Sequence, residues 1–577
     1  MRLLSIISAL LSVAYCIEWI GQVGNSICNW AQLRASSLRD AIYVDGGELW
    51  WISQFSNGQN GTVQNDGNFE GSLFRLDLSQ TFNSITTNLT SLFSRVPQNS
   101  SLDYIDGVMW ATNTDELVLY GGLLRPSNST LEPGSRSFYG YSINSTSILH
   151  QPGFYYAEVP DNMTRYVTNG AGVSAPSERL GFYFGGMRGY DWGPISNDDG
   201  SAAYSANTLI SVVLEDTDTQ HWTNQTLPEN IPSRANAVVE WLPVSHSGIL
   251  VVIGGVSIPS VIFTNGLTDA QKLQNNNTDS RFMQEVAIYD IASKTWYSQN
   301  TTGDIPSARA LFCSVYASAA DNSSHNIYIY GGYDGNDLEH TPFNDVYILS
   351  LPTFTWTRAY VGSDNDGRSG HQCIRVLPDQ MLVVGGEFKD PTHCLPVLRN
   401  FNLNTLDFQN EYIPSEYASY EVPLPVIEVI GGNGNGSALH TSPVVWSNEA
   451  LQSVFNTPYT KAIPSWYPYA SKLPVSGTHS RTLKIVLATV FPVSVGAVIF
   501  GIYRYLRTSP FLHRTKAPVE LDSAPDDIPR SELSAVPETP ESNPSAETST
   551  PSSERDEKKR TDSIAQTPLS CYFPKSL

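Results

Sequence analysis

Through the middle of the chain, apolar residues come in short bursts that each end in a pair of glycines. AIYVDGG runs to Gly47, LVLYGG to Gly122, GFYFGG to Gly186, LVVIGG to Gly255, IYIYGG to Gly332 and MLVVGG to Gly386, with a shorter echo, IEVIGG, to Gly432. Behind most doublets comes a second unit: a strand, a tight turn, and a strand opening on a bulky residue. VAIYDIASKTW ends at Trp296, VYILSLPTFTW at Trp356, LRNFNLNTLDF at Phe408 and FYGYSINSTSI at Ile148. LFRLDLSQTF, to Phe82, is one residue shorter, and LISVVLEDTDTQHW, to Trp222, has a longer turn. An arginine stands before several doublets: Arg234, Arg309 and Arg368. Short apolar runs bounded by Asn, Asp, Ser and Gly predict four-stranded antiparallel sheets.

Such a sheet cannot bury both faces alone. Radial packing of consecutive sheets buries each against its neighbours and closes a propeller. The glycine doublet suits a backbone with φ > 0, or one that approaches another backbone closely. The Trp or Phe opening each last strand is expected to fill space between blades.

Two longer apolar runs mark the ends. Arg2 precedes LLSIISALLSVAY, with Ala14 and Cys16 at the small-residue spacing of a cleavage site, so residues 1–16 read as a signal peptide. Ile485 to Tyr503 carries no charge, and residues 483–503 are expected to span a membrane as a helix. Arg504, Arg507, Arg514 and Lys516 crowd its C-terminal side, against Arg481 and Lys484 before it, which places the C-terminus in the cytosol.

A Gly-Gly after an apolar strand, followed by Tyr-Asp and a Trp, resembles the kelch motif, from about Arg39 to Phe408. The resemblance implies an all-β fold, a kelch-type β-propeller over residues 17–436. Six blades are expected, with seven as the alternative, closed by pairing the segment after Ile17 with C-terminal strands. A closing and membrane-proximal segment follows at 437–482, then the transmembrane helix and a disordered cytosolic tail at 504–577. This order resembles kelch-repeat membrane proteins abundant in fungi, which mostly lack an assigned activity. The first two repeats lack the Trp, and doublet spacings of 46 to 77 residues imply long loops.

Sequons agree with a lumenal propeller. Asn60, Asn88, Asn99, Asn128, Asn144, Asn162, Asn224, Asn276, Asn300, Asn322 and Asn435 all precede the span. The formal charge is −22, and the tail after Tyr503 contributes 10 basic and 12 acidic residues, so the propeller is strongly acidic and nucleic acid is excluded as a partner. Cys28, Cys313, Cys373 and Cys394 are candidates for two disulfides of open connectivity, with a buried thiol as the other reading of Cys313. In the tail, Ser509, Thr539, Thr550 and Thr567 each precede a proline and are candidate phosphorylation sites.

Kelch propellers include galactose-oxidase-like copper radical oxidases, which need two His, two Tyr and a Tyr-Cys cross-link. His371, His393 and His440, with Cys373 or Cys394, could supply such atoms. Too few residues separate Gly436 from the span for that family's C-terminal domain, and His371 fits a structural histidine at the start of a kelch repeat. No catalytic motif, metal site or cofactor is assigned. Asn197, Asp198, Asp199, Glu215 and Asp216 read as solvated turns, and Trp50 and Trp51 as packing between blades. Tyr190, Asp191 and Trp192 form an aromatic loop able to stack on sugars. The expected function is display, at the cell surface or on a secretory-pathway membrane, of a loop surface that binds a protein or glycan.

Overall fold

The computed structural model describes residues 22–469 except 56–58, 66–70, 97–102, 114, 126–133, 144–151, 197–199, 215–220 and 364. The chain divides into two units, Met1–Ser476 and Gly477–Leu577, and every described residue lies in the first. The signal peptide, the span, the tail with its phosphorylation candidates, Asn99, Asn128, Asn144, Ile148, and the acidic pairs near 198 and 215 fall outside the described residues. Among those described, no helix is long and apolar enough to cross a membrane.

Six four-stranded antiparallel meanders follow one another along the described chain. The first takes Arg34–Leu38, Ala41–Asp45, Phe74–Asp77 and Phe93–Arg95. The second takes Val108–Ala111, Glu116–Tyr120, Ser137–Ser142 and Gly153–Glu158. The third is Ala171–Ala175, Leu180–Phe184, Thr208–Val213 and Trp222–Thr226. The fourth is Val238–Leu242, Ile249–Ile253, Glu285–Asp290 and Thr295–Asn300. The fifth is Cys313–Ser318, His325–Tyr330, Asp345–Leu351 and Thr355–Val361. Ser369–Leu377, Gln380–Glu387, Leu398–Asn402 and Asp407–Gln409 complete the sixth. Each first strand contacts the first strand of the next sheet, and that of the sixth returns to the first, which is a propeller arrangement.

Aromatic residues in the fourth strands fill the gaps between sheets. Trp222 lies against Trp110 and Phe138 of the second sheet, Trp296 against Phe184 of the third, and Phe408 against Tyr330 and Tyr360 of the fifth. Trp356 is almost fully buried, and its indole N–H donates to Met283 O, beside the fourth sheet, at 3.2 Å.

The doublets explain how one sheet holds the next. All six run through positive φ in both glycines, which turns the second N–H sideways out of its own sheet. Gly47 N donates to Tyr104 O at 2.6 Å, Gly122 N to Val167 O at 2.8 Å, Gly186 N to Arg234 O at 3.0 Å, Gly255 N to Arg309 O at 3.0 Å and Gly332 N to Arg368 O at 2.8 Å. Each acceptor stands just ahead of the next sheet's first strand. At Gly332, φ is +89°, and a Cβ would lie 2.6 Å from Ala310 O, so no other residue fits there without movement.

Closure differs in part from expectation. The N-terminal strand, Gln22–Ala31, pairs along its length with Glu48–Phe55 and is paired with a strand of the sixth sheet where Trp30 faces Gly386. Trp30 thus takes the place that Tyr104 or Arg234 takes elsewhere. Glu411–Tyr412 pairs with Phe82–Asn83 of the first repeat, and the Tyr412 hydroxyl donates to Leu78 O at 2.9 Å. Phe82 therefore does not open the fourth strand of its sheet; that strand begins at Phe93. Trp50 and Trp51 lie on Glu48–Phe55, inside the long connection after the first doublet, and Trp51 packs against the core shared by the first and sixth sheets.

The seventh apolar run is not a strand. Leu424–Ile430 is a helix with proline in its first turn and Gly431 at its C-cap, and it buries Val426 and Ile430, one helical turn apart. A second short helix, Glu449–Phe455, is capped by the Asn448 side chain. Both pack on the sheets, so no seventh meander forms among the described residues.

Candidate binding site

The axis of the ring begins at a circle of backbone. Gln32, Asp106, Asn169, Asn236, Leu311 and Gly370, one at or just ahead of the start of each first strand, all have φ between 50° and 70°. Gln32 N donates to Gly370 O at 2.7 Å, Gly370 N to Leu311 O at 2.9 Å, Leu311 N to Asn236 O at 3.2 Å, Asn236 N to Asn169 O at 2.8 Å and Asp106 N to Gln32 O at 2.8 Å. The remaining link runs from Asn169 N–H to the Asp106 carboxylate. Left-handed geometry at five non-glycine positions is costly, and the circular hydrogen bonding offsets it.

Beyond the circle lies an axial cavity of about 400 Å³ lined by all six first strands, among them Ser36, Val108, Ser174, Glu240, Ser314 and Arg375. Glu240 is buried and accepts from Ser314 Oγ at 2.6 Å. Burial pushes its carboxyl up to about 7, with the Ser314 hydrogen bond and the Arg375 charge pulling the other way. Asp106 is also held near 7 by burial, against N–H donation from Gly107 and Asn169.

A stability change with pH follows. An acid whose folded value lies above the ordinary 4.5 favours the native state fully below about pH 4.5, and that contribution is lost as pH rises through about 7. Glu240→Gln keeps an acceptor for Ser314 without the charge. It should be more stable than wild type by about 1–3 kcal/mol at pH 8, a gap that vanishes near pH 4.5. Thermal midpoints of both proteins across this range provide the measurement; parallel curves would show that the Glu240 carboxyl does not titrate as its burial requires.

The other mouth is crossed by a strap from the segment expected to be a membrane-proximal stalk. Ser245 N donates to Thr457 O at 3.0 Å in the fourth sheet. The Tyr459 hydroxyl donates to Glu178 Oε1 at 2.7 Å, and Lys461 pairs with Glu178 at 2.6 Å, in the third. Ile463 lies at the axial cavity. The Arg39 guanidinium sits over the Trp466 ring at 5.8 Å in the first sheet, and the Tyr469 hydroxyl donates to Val376 O in the sixth. Burial raises the Glu178 carboxyl, but hydrogen bonds from Lys461 and Tyr459 outweigh it and hold the group below its usual range.

The opposite face carries the long connections that follow the doublets. In the third, Tyr190 is 77 % exposed and Tyr204 47 %, with ring centroids 5.2 Å apart. Arg188 fixes the loop from beneath: its guanidinium lies 4.4 Å from the Trp192 ring and donates to Gly189 O and Tyr190 O at 2.8 Å.

The described sequon asparagines, Asn60, Asn88, Asn162, Asn224, Asn276, Asn300, Asn322 and Asn435, are all exposed. Of the three possible cysteine pairings, the structure has Cys28 with Cys394 and Cys313 with Cys373, so Cys313 is not a free buried thiol. His371 is fully buried and joins neighbouring sheets through Nε2, 3.1 Å from Tyr330 O. Burial and the nearby Arg368 charge lower it to about 3, so the imidazole is neutral. One cluster of metal-ligand types occurs among the described residues, Cys313, His371 and Cys373, with donor atoms within 4.8 Å of one another. His393 lies beside Phe388 with ring centroids 5.1 Å apart, His440 is exposed, and neither belongs to this cluster.

The all-β fold and its repeated sheets are consistent with a kelch-type propeller. Residues 275–417 match the KLHDC2/KLHL20/DRC7 Kelch-repeats domain. A Kelch repeat-containing protein of Arthroderma benhamiae is 27% identical over 532 residues, 83% of this chain and 75% of that protein. Acyl-CoA-binding domain-containing proteins 5 and 4 of Arabidopsis thaliana are 28% and 30% identical over 165 residues, 28% of this chain, which spans only 22% and 21% of their lengths. A solved structure, "Structure of YjhT", aligns with 67% of this chain and 98% of that one at 12% identity and a TM-score of 0.39. The family match places kelch repeats at residues 275–417, and the similarity to a kelch repeat-containing protein extends over most of the chain.

Proposed function

We propose that the chain is a membrane-anchored display protein: a six-bladed kelch propeller on the lumenal or extracellular side that engages a protein partner through its long-loop face. The exposed Tyr190 and Tyr204 pair carries the reading. Two large aromatic rings held in water on an Arg188-braced loop are costly to leave uncovered, and such rings dominate the energy of protein contacts. A ring of packed sheets keeps that loop in place, as a binding surface requires. Six meanders in circular contact support the blade number. Exposed sequons and two disulfides support an oxidising, glycosylating compartment.

Cross-linking in intact cells tests the reading. Wild type should capture a defined protein, and Tyr190→Ala with Tyr204→Ala should reduce capture by roughly tenfold or more, the effect of losing a central aromatic contact. Endoglycosidase should lower the apparent mass of the captured chain. Undiminished capture by the double variant would refute the surface, and a chain without glycans would refute the compartment.

A further inference from the structure

The bridge between the fifth and sixth sheets lies beside a histidine that it does not use. Cys313 is on the first strand of the fifth sheet, and His371 and Cys373 are on the first strand of the sixth. The Cα atoms of the two cysteines are 5.3 Å apart, and both line the axial cavity. His371 Nε2 lies 3.1 Å from a carbonyl oxygen, which can only accept, so Nε2 carries the proton and Nδ1 carries the lone pair. That Nδ1 is buried and has no hydrogen-bond partner. A buried imidazole nitrogen left bare is costly, and a ring nitrogen of His371 lies within 4.8 Å of both sulfurs. A backbone carbonyl holding the distal N–H is also how ligating histidines are oriented and fixed in one tautomer.

We propose that reduction of the Cys313–Cys373 bridge uncovers a site for a thiophilic divalent cation, built from the two thiolates and His371 Nδ1, with its open position toward the axial cavity. Two thiolates and a neutral imidazole form the donor set that selects Zn²⁺ and similar ions, and a fourth position left open admits water or a ligand. The step balances with a dithiol as reductant. Its two electrons cleave the S–S bond, the dithiol closes to its own cyclic disulfide, and its two protons pass to Cys313 and Cys373. Binding of the cation then releases both thiol protons. The propeller thereby exchanges a covalent link between two sheets for a metal link at the same place, so the site would report the redox state of its surroundings.

Co²⁺ serves as the probe because its thiolate complexes absorb in the near ultraviolet. The full chain, reduced with a dithiol and desalted without oxygen, should bind Co²⁺ with a thiolate-to-cobalt band and release two protons per ion. The oxidised chain should show neither. Cys313→Ser should abolish the band, and His371→Gln should weaken binding at least about tenfold. Replacing Cys28 and Cys394, which lie away from the cluster, should leave the band intact. Near-ultraviolet dichroism of the buried aromatics confirms that each variant is folded. No band in the reduced chain, or a band indifferent to His371→Gln, would overturn the proposal.

Discussion

Replacing Cys28 and Cys394 together by serine is expected to lower propeller stability by about 2–5 kcal/mol, the range for loss of a native disulfide. The bridge closes a loop of sequence separation 366, against 60 for Cys313 and Cys373. Loop entropy grows with the logarithm of length, so the longer loop is favoured by about 1.6 kcal/mol. Position adds to the effect. Cys28 lies two residues before Trp30, whose pairing with Gly386 is the strand contact that joins the N-terminal strand to the sixth sheet. Asn29 Nδ2 donates to Pro391 O at 2.6 Å and to His393 O at 3.1 Å, so the same short segment holds the connection that carries Cys394. With the bridge gone, the first and sixth sheets keep only hydrogen bonds and packing, and opening should start there. Urea midpoints under non-reducing conditions measure this. A smaller shift for the Cys28 and Cys394 pair than for Cys313 and Cys373 would show that the ring does not open at that seam.

Much of the architecture was legible because its signals are local. An apolar run followed by Gly-Gly marked six second strands, and the Trp residues marked three of the fourth strands, since each feature answers a demand made within a few residues. The seventh run, IEVIGG, has the same letters but not the same surroundings. Pro423 and Pro425 precede its apolar residues and start a helix, and Gly431, which ends a strand elsewhere, ends that helix by the same positive φ. Phe82 misled for another reason: its partner is Tyr412, across almost the whole propeller in sequence. The axial circle had no usable signal. Asn169 and Asn236 tolerate left-handed backbone, but Gln32 and Leu311 rarely adopt it, and only the closed set of hydrogen bonds selects them. The strap carries no sequence signal, because Tyr459, Trp466 and Tyr469 show no periodicity and each binds a different sheet.

Arg309→Met is expected to destabilise the propeller by about 3 kcal/mol, within the range for breaking a buried ion pair from one side. Of the three arginines ahead of the doublets, Arg309 and Arg368 share a task, while Arg234 donates to Val252 O instead. Arg309 Nη1 donates to Gly331 O at 3.3 Å, and Arg368 Nη1 to Gly385 O at 2.8 Å, so each guanidinium satisfies a doublet carbonyl that positive φ turns out of the sheet. Arg309 alone of these two also pairs with a carboxylate, Asp345 Oδ1, at 2.9 Å. Its guanidinium lies 4.4 Å from the Phe343 ring. Methionine keeps the packing but leaves Asp345 buried and charged, with only the half-exposed Arg358 at 3.9 Å to answer it. Adding Asp345→Leu removes the stranded charge, so the double variant should recover most of the loss. Lysine at 309 keeps a charge but cannot hold the carboxylate and the carbonyl with one planar group, and it should fall between. Denaturant midpoints of the three variants decide the matter: equal losses for Arg309→Met and the double variant would mean that the Gly331 carbonyl, not the Asp345 charge, sets the cost.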